Sequence, residues 1–258
     1  MALTSDEIRR YARHLLLPDV GAQGQQRLKA ATVVLIGVGG IGAPALAHLA
    51  ASGVGRLRLV DPDRVDASNL HRQFIYQTED EGALKVAAAL RFAHALNPHV
   101  LVETDARALD AENAGALLAG ADVVVDGLDR FPPRYALNAA AMAARVPLVS
   151  GAVGRYGGYL SVYKPWEGAE APCFGCLTPE EPPDADLCER DGVLGPVPGV
   201  VGAMAAVEAI KEIAGLGKSL AGRLFHYDPL ASGVRTVQLS RDPACPHCAG
   251  LDRGDAAP

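Results

Sequence analysis

The sequence contains no hydrophobic run long enough to cross a membrane and no excess of positive charge. No apolar stretch approaches the roughly 20 residues that a transmembrane helix needs, and segment 1–14 lacks the apolar core of a signal peptide. With 24 Lys and Arg against 30 Asp and Glu, the net charge is -6. Nucleic acid as the main partner is disfavoured, because no broad basic stripe is present to neutralise phosphates. We therefore expect a cytoplasmic protein that binds neither membrane nor nucleic acid.

Cysteine is also scarce, with five residues in 258. Four of them form two C-x-x-C pairs, Cys173 with Cys176 and Cys245 with Cys248. Two such pairs favour a closed tetrahedral zinc site over a redox pair or a disulfide scaffold, provided that the fold brings them together. His247 is a less favoured alternative ligand. The fifth cysteine, Cys188, lies in segment 177–199, which is rich in proline, glycine and acidic residues and is predicted to be a long loop.

The hydrophobic pattern predicts strands that alternate with helices as far as residue 150. Segment 32–36 is continuously apolar, as expected for a strand that is covered on both faces of a parallel sheet. Further strands are predicted at 56–61, 99–105, 121–129, 147–153 and 157–165. Helices are predicted at 7–17, 43–52, 79–96, 111–119, 135–146 and 202–215. This alternation predicts an α/β fold with a doubly wound, Rossmann-like sheet.

The C-terminal third adds an elaborated strand region with the four-cysteine zinc site. We predict a single domain over residues 1–250, followed by a tail at 251–258. Within it, the prediction places an N-terminal helix in 1–20 and a nucleotide-binding core in 32–150. Region 151–250 is then expected to bind a carrier and the zinc ion.

A glycine-rich turn follows the first strand and carries Gly37, Gly39, Gly40 and Gly42 in the order G-x-G-G-x-G. Such glycines let the backbone approach phosphates, whose charge is stabilised by free N–H groups at the start of the next helix. Asp61 has the spacing of a carboxylate that binds ribose hydroxyls. The turn alone does not separate a dinucleotide from ATP, and by itself it favours an NAD-dependent oxidoreductase.

Cationic and amide side chains follow the second strand. Segment 68–73 reads S-N-L-H-R-Q, and Lys85 lies on the next predicted helix. Hydride transfer needs no such cluster, whereas attack on the α-phosphorus of a triphosphate builds charge that these groups stabilise. Asp129, after the strand at 121–129, is suited to magnesium, which prefers carboxylate and phosphate oxygens. The alternative is that Arg72 and Lys85 are solvated surface charges.

These motifs occur in one order: the glycine turn, V-D-P-D, S-N-L-H-R-Q, a lysine, D-G-L-D and paired C-x-x-C. In this the chain resembles the MoeB/ThiF family of adenylyltransferases, relatives of the ubiquitin-activating enzymes, from about Tyr11 to Cys248. The resemblance implies that ATP adenylates the C-terminal glycine of a small ubiquitin-like sulfur carrier ending in Gly-Gly and that pyrophosphate leaves. It also implies that the two cysteine pairs come together.

The resemblance implies roles for individual residues at the nucleotide. Asp61 would bind the ribose hydroxyls, and Asn69, Arg72 and Gln73 would bind the nucleotide and its phosphates. Lys85 would stabilise the transferred phosphoryl centre. The attacking carboxylate has a pKa near 3.5 and is already ionised at neutral pH, so no general base is needed.

Three further roles follow from the resemblance. Asp129 would coordinate magnesium, and Arg13 would enter the partner subunit's site across a homodimer. Cys188 would become linked to the activated carrier tail during sulfur transfer, although the acidic residues around it should raise its thiol pKa. No rhodanese-like domain follows residue 250, so a separate sulfur donor protein is expected.

Two other readings stay open at this point. One is an NAD(P)-dependent Rossmann oxidoreductase with a structural zinc ion, and the other is a non-catalytic module that uses nucleotide or zinc for structure. Within the family the pathway is also open, because the carrier could serve molybdopterin, thiamine or related biosynthesis.

Overall fold

A computed structural model describes residues 2–182 and 192–251 and places eight strands of this part of the chain in one sheet. The strands are β1 Thr32–Ile36, β2 Arg56–Val60, β3 Leu101–Asp105, β4 Val123–Asp126, β5 Leu148–Val153, β6 Gly158–Tyr163, β7 Arg223–Asp228 and β8 Gly233–Gln238. Their order is β3-β2-β1-β4-β5-β6-β7-β8, with β1 to β5 parallel and β6 to β8 antiparallel to their neighbours. The predicted doubly wound α/β fold with added C-terminal strands is confirmed.

Helices connect the parallel strands and cover both faces of the sheet. They are α1 Ser5–Arg10, α2 Ala12–Leu15, α3 Gly21–Ala30, α4 Gly42–Ala51, α5 Lys85–Leu96, α6 Ala114–Leu117, α7 Phe131–Ala144, α8 Phe174–Leu177 and α9 Pro196–Ala214. Short 3-10 turns form at Ala67–Asn69 and Thr78–Asp80.

Strand β1 shows why its sequence is continuously apolar. Val33 and Leu35 pack into the core with α4, α5 and α9, while Val34 and Ile36 pack into the core with α6 and α7. Side chains alternate between the two faces of a strand, so a strand covered on both faces must be apolar at every position.

The sheet reverses its strand order at β1, which lies between β2 and β4. Ile36, the last residue of β1, is in register with Val60 on one side and with Asp126 on the other. The loops that follow these three strands therefore begin at the same level of one sheet edge. In doubly wound sheets this is where ligands bind.

Several predicted helix boundaries are wrong for local reasons. The helix predicted over 79–96 begins at Lys85, because Thr78–Asp80 forms a 3-10 turn and Gly82 has a φ of 81°. The helix predicted over 7–17 breaks at Tyr11, although a capping box of Thr4 and Glu7 stabilises its start. Tyr11 turns inward, where its hydroxyl oxygen accepts a hydrogen bond of 2.8 Å from the buried Asn97.

Two helices differ from the prediction where their residues do not show a clear helical pattern of apolar residues. Helix α3 was not predicted, because its residues are mostly polar and include two glycines. Helix α9 begins at Pro196, not near 202, so residues 196–199 of the predicted loop are helical. Proline is favoured in the first turn of a helix, where its missing N–H costs nothing.

None of the helices within residues 2–182 and 192–251 combines the length and the apolar character that a membrane span requires.

Candidate functional site

The glycine turn closes on itself so tightly that two of its positions exclude a side chain. Gly37 has a φ of 85°, and its N–H donates to the Val60 carbonyl at 2.8 Å. A Cβ on Gly42 would overlap the Gly37 carbonyl oxygen. The Ala43 N–H donates to the Gly39 carbonyl at 2.9 Å as α4 begins. Gly37, Gly39 and Gly40 remain partly exposed, so their backbone is accessible to a ligand above the sheet edge.

Asp61 holds the turn from the end of β2. Its side chain is buried, and its two oxygens accept hydrogen bonds from the N–H groups of Val38, at 2.8 Å, and Asp63, at 2.9 Å. Burial raises the pKa of Asp61, and the Lys85 ammonium and these two N–H groups oppose that shift. A buried carboxylate with both oxygens anchored is a fixed acceptor for hydroxyl groups of a ligand.

Tyr76 holds the same turn from the other side, and sequence reasoning missed it. Its hydroxyl donates to the Val38 carbonyl at 2.8 Å. Burial and the nearby Asp61 carboxylate raise the pKa of Tyr76, so the hydroxyl stays protonated as a donor. Its only signal in the sequence is its place three residues after Gln73 in a chain with few aromatic residues.

Lys85 is the first residue of α5 and lies beside the carboxylate of Asp61. Its side chain is only 8% exposed, and its ammonium donates to Asp63 at 2.8 Å, whereas the Asp63 side chain is 63% exposed. The structure therefore places a nearly buried cation at the same edge as the glycine turn, paired with a carboxylate that faces solvent.

Arg72 and Gln73 lie against the glycine turn. The Gln73 amide nitrogen is 3.7 Å from the position that a Cβ on Gly39 would take, and Arg72 Cδ is 3.8 Å from the same position on Gly40. Gln73 is buried, and its Oε1 has no hydrogen-bond partner in the described part of the chain. A buried acceptor left unsatisfied in this way marks a place for a ligand or water.

Asn69 shapes the loop that carries Arg72 and Gln73. Its carbonyl accepts the N–H groups of both residues, at 3.0 and 2.9 Å. Asp66 begins the loop by accepting from the N–H and the hydroxyl of Ser68, and these bonds lower the pKa of Asp66. The half-buried Asn69 side chain has one hydrogen bond, a long one of 3.4 Å to the Ser68 hydroxyl, within the described residues.

Asp129 is exposed in the loop after β4. That loop touches the glycine turn, since the Gly127 carbonyl oxygen is 2.8 Å from the position of a Cβ on Gly37.

Arg13 is exposed on α2 and is not brought to this edge within one chain. Tyr11, two residues earlier, instead packs against Gly53 at the far end of α4.

The start of α9 forms one wall of the site, where the sequence pattern predicted only loop. The Pro198 ring lies 3.2 Å from the position of a Cβ on Gly40, and Gly195 packs against the backbone of His71. His71 also lies 3.0 Å from the guanidinium of Arg72 through its Nε2. The histidine thus packs and hydrogen-bonds beside the loop.

The four paired cysteines come together at one point, as the resemblance implied. All four sulfurs lie within 4.8 Å of one another, and three of the separations are 3.7 to 3.8 Å. Burial and the neighbouring sulfurs raise the pKa of the Cys173 thiol, an effect that a bound cation would reverse by stabilising thiolates. These are the residues that can hold a metal ion.

His247 does not belong to that sulfur cluster. Its ring stacks on Tyr135 with centroids 4.8 Å apart, and its Nε2 is 3.0 Å from the Pro179 carbonyl oxygen. Cys188, the candidate sulfur-transfer residue, lies outside the described residues.

Comparison with known proteins identifies relatives along nearly the whole chain. Residues 11–247 match the ThiF family. The sulfur carrier protein adenylyltransferase of Thermus thermophilus is 45% identical over 252 residues, which are 96% of this chain and 93% of that protein. The SAMP-activating enzyme E1 of Haloferax volcanii is 41% identical over 98% of this chain and 93% of its own length.

Longer relatives and solved structures match as well. The adenylyltransferase and sulfurtransferase MOCS3 of Drosophila yakuba is 44% identical, and the chain spans 54% of its length. A crystal structure of PaaA matches with a TM-score of 0.79 and 25% identity, over 93% of this chain and 76% of that one. E. coli MccB with ATP matches with a TM-score of 0.77 and 21% identity, over 95% and 81%, which shows a shared fold.

Two glycine-to-alanine substitutions should differ in their effect on stability, because one position closes the turn on itself and the other faces free space. Gly42→Ala should destabilise the protein by about 3 kcal/mol, because its methyl group would overlap the Gly37 carbonyl. Gly39→Ala should change stability by less than about 1 kcal/mol, because its nearest contact would be 3.7 Å away. Urea unfolding measures both, and equal losses would contradict the described geometry.

Proposed function

This chain belongs to the ThiF family, and we propose that it is an ATP-dependent adenylyltransferase that activates the C-terminal glycine carboxylate of a small ubiquitin-like sulfur carrier protein. One observation carries the proposal. The buried Asp61 and Gln73 and the side chain of Arg72 contact the glycine turn at the switch point of the sheet, and the nearly buried Lys85 lies beside Asp61.

The site fits an adenine nucleotide in two respects. The backbone at Gly39 faces free space, since a Cβ there would meet nothing closer than 3.7 Å, and Gln73 offers a buried amide oxygen that has no partner among the described residues. Asp61 would accept hydrogen bonds from the ribose hydroxyls with the lone pairs that its backbone contacts leave free. The guanidinium of Arg72, the amide N–H groups of Gln73 and the N–H groups of the turn would donate to the phosphate oxygens.

The reaction needs alignment and charge neutralisation more than acid–base catalysis. A carboxylate oxygen of the carrier's terminal glycine forms a bond to the α-phosphorus, and the bond from that phosphorus to the bridging oxygen breaks. Pyrophosphate carries away the electron pair, and the product is an acyl adenylate. Lys85 and Arg72 would stabilise the charge that builds on the phosphate oxygens.

Asp129 is proposed to hold a magnesium ion at this site. Its exposed carboxylate lies on the loop that touches the glycine turn, and magnesium prefers one or two carboxylates together with phosphate oxygens and water. The ion would neutralise part of the triphosphate charge when bound.

Arg13 is proposed to act in the partner subunit's site of a homodimer. Three large apolar side chains near it are exposed, Ile8 at 49%, Leu16 at 71% and Leu17 at 51%. Exposed apolar groups clustered around a cation are typical of a protein interface.

The sulfur atom itself would come from a separate donor protein, and the product could serve molybdopterin, thiamine or related biosynthesis.

The four cysteines are proposed to bind a structural zinc ion. A zinc ion bonded tetrahedrally to four sulfurs at about 2.3 Å separates them by about 3.8 Å, which the observed 3.7 to 3.8 Å separations match. Four sulfur ligands leave no open position, so the ion would stabilise the C-terminal region and would not take part in the reaction.

An exchange assay tests the function. We expect ATP–pyrophosphate exchange only when a carrier ending in Gly-Gly is present, and Lys85→Ala should lower the rate about 10²–10³-fold through lost charge stabilisation. Lys164→Ala is the matched control, because Lys164 is also nearly buried in an ion pair but outside this site. Exchange without a carrier, or an unaffected Lys85→Ala variant, would rule the proposal out.

Mixed dimers test the role of Arg13. Arg13→Ala and Lys85→Ala should each be inactive alone, because every site then lacks one group. Mixed in equal amounts and allowed to exchange subunits, they should recover about a quarter of the wild-type activity, since half of the dimers then contain one complete site. No recovery after verified subunit exchange would show that Arg13 does not act across the interface.

Metal analysis tests the zinc site. The purified protein should contain about one zinc ion per chain, and Cys245→Ser should lose it and lower the unfolding temperature by about 10 °C or more. Cys188→Ser is the control and should keep both the zinc and the stability. Retention of full zinc by Cys245→Ser would argue against a four-sulfur site.

A further inference from the structure

The most buried ion pair in the described part of the chain plays no part in the function above. Arg134 of α7 is bound to Asp126 at the end of β4, and their side chains are only 7% and 2% exposed. We propose that Arg134 is a positioning residue, which acts through Asp126 to fix the loop that presents Asp129 to the nucleotide. This inference rests on the proposed role of Asp129.

The pair belongs to a closed hydrogen-bond network that joins three elements. Arg134 Nε donates to Asp126 Oδ2 at 2.9 Å, and its Nη2 donates to the Ser150 hydroxyl oxygen at 3.2 Å and to the Gly151 carbonyl. Ser150 donates in turn to Asp126 Oδ2 at 2.7 Å. Helix α7 and strands β4 and β5 therefore share one buried polar junction.

The second oxygen of Asp126 controls the loop that leads to Asp129. Asp126 Oδ1 accepts the N–H of Leu128 at 3.0 Å, and the Gly127 N–H donates to the Ile36 carbonyl at 2.8 Å. These bonds set the direction of the chain one residue before Asp129. Because the Gly127 carbonyl also packs against Gly37, a shift of Asp126 would move the loop relative to the glycine turn.

Two aromatic rings pack against the Arg134 guanidinium. The Arg134 Cζ atom lies 5.1 Å from the ring centroid of Phe174 and 5.9 Å from that of Phe131, distances typical of cation–π contacts. Removing a charged pair from water costs free energy, and two apolar residues of similar volume would often give equal or greater stability. The pair is nevertheless buried at the base of the loop that carries Asp129. We therefore attribute its role to the way in which its hydrogen bonds orient that loop.

Binding of ATP with and without magnesium separates this role from a general loss of stability. Lysine at position 134 keeps the charge but cannot bond to Asp126, Ser150 and Gly151 together, because it lacks the planar fork. In Arg134→Lys the loop after β4 should be less well ordered, and Asp129 should less often be in place to bind magnesium. The metal-free affinity for ATP should be unaffected, since the glycine turn, Asp61, Arg72 and Gln73 carry it.

The experiment is calorimetric titration of the full-length protein with ATP, in EDTA and in saturating magnesium. Arg134→Lys should reduce the gain in ATP affinity that magnesium gives by about tenfold, and Ser150→Ala by about threefold. The metal-free Kd should change by less than about twofold in both. Glu212→Gln, which breaks another buried ion pair away from the site, should leave both affinities unchanged.

A double mutant tests whether Arg134 acts through Asp129. Asp129→Asn should abolish most of the magnesium effect, and adding Arg134→Lys to it should have no further effect. Additive losses would overturn the proposal, as would a parallel fall of the metal-free and magnesium-bound affinities. If Arg134→Lys does not fold, Ser150→Ala decides by the same readout.

Failure of the proposed function gives a different result. A wild type that binds ATP more tightly with magnesium but shows no carrier-dependent exchange overturns the proposed function and leaves this readout intact. A wild type that exchanges, with an Arg134→Lys variant that keeps the full magnesium effect, overturns the positioning role alone.

Discussion

The parallel register of β1 between β2 and β4 is the constraint on which the site depends. It brings Ile36, Val60 and Asp126 to one level, so three loops leave the sheet at neighbouring points in the same direction. Each loop supplies something different: an open backbone, an anchored carboxylate and an exposed carboxylate. A shift of one residue in either strand pair would exchange the two faces of a strand and bury the wrong side chains.

Two buried carboxylates use this register in the same way. Asp61 at the end of β2 and Asp126 at the end of β4 both accept backbone N–H groups, of Val38 and Leu128. Each aspartate thus fixes a loop near the glycine turn at a depth where water competes little for the hydrogen bond. Each is balanced by a neighbouring cation, Lys85 for Asp61 and Arg134 for Asp126, as buried carboxylates require.

The sequence pattern predicted what depends on local periodicity and spacing, and missed what depends on contacts across the sheet. Strand β1 was predicted because burial on both faces makes residues 33–36 continuously apolar, whereas the roles of Arg72 and Gln73 at the nucleotide were implied only by the family resemblance. Tyr76 was missed because its partner, the Val38 carbonyl, is distant in sequence. Arg134 follows two prolines and looks like a helix charge exposed to solvent, since no local pattern indicates a carboxylate on β4 beneath it.

Helix α7 connects the cysteine cluster to the loop after β4. Residues Arg134, Asn138 and Met142 are spaced four apart and therefore share one face, which contacts Asp126 at one end and the cysteine cluster at the other. Asn138 accepts the Phe174 N–H at 3.1 Å, one residue after Cys173, and Phe174 also covers the Arg134 guanidinium. A metal ion that orders the cysteines would thereby fix Phe174 against α7. The metal ion would then influence the nucleotide site through the packing of α7, with no contact between the ion and the substrate.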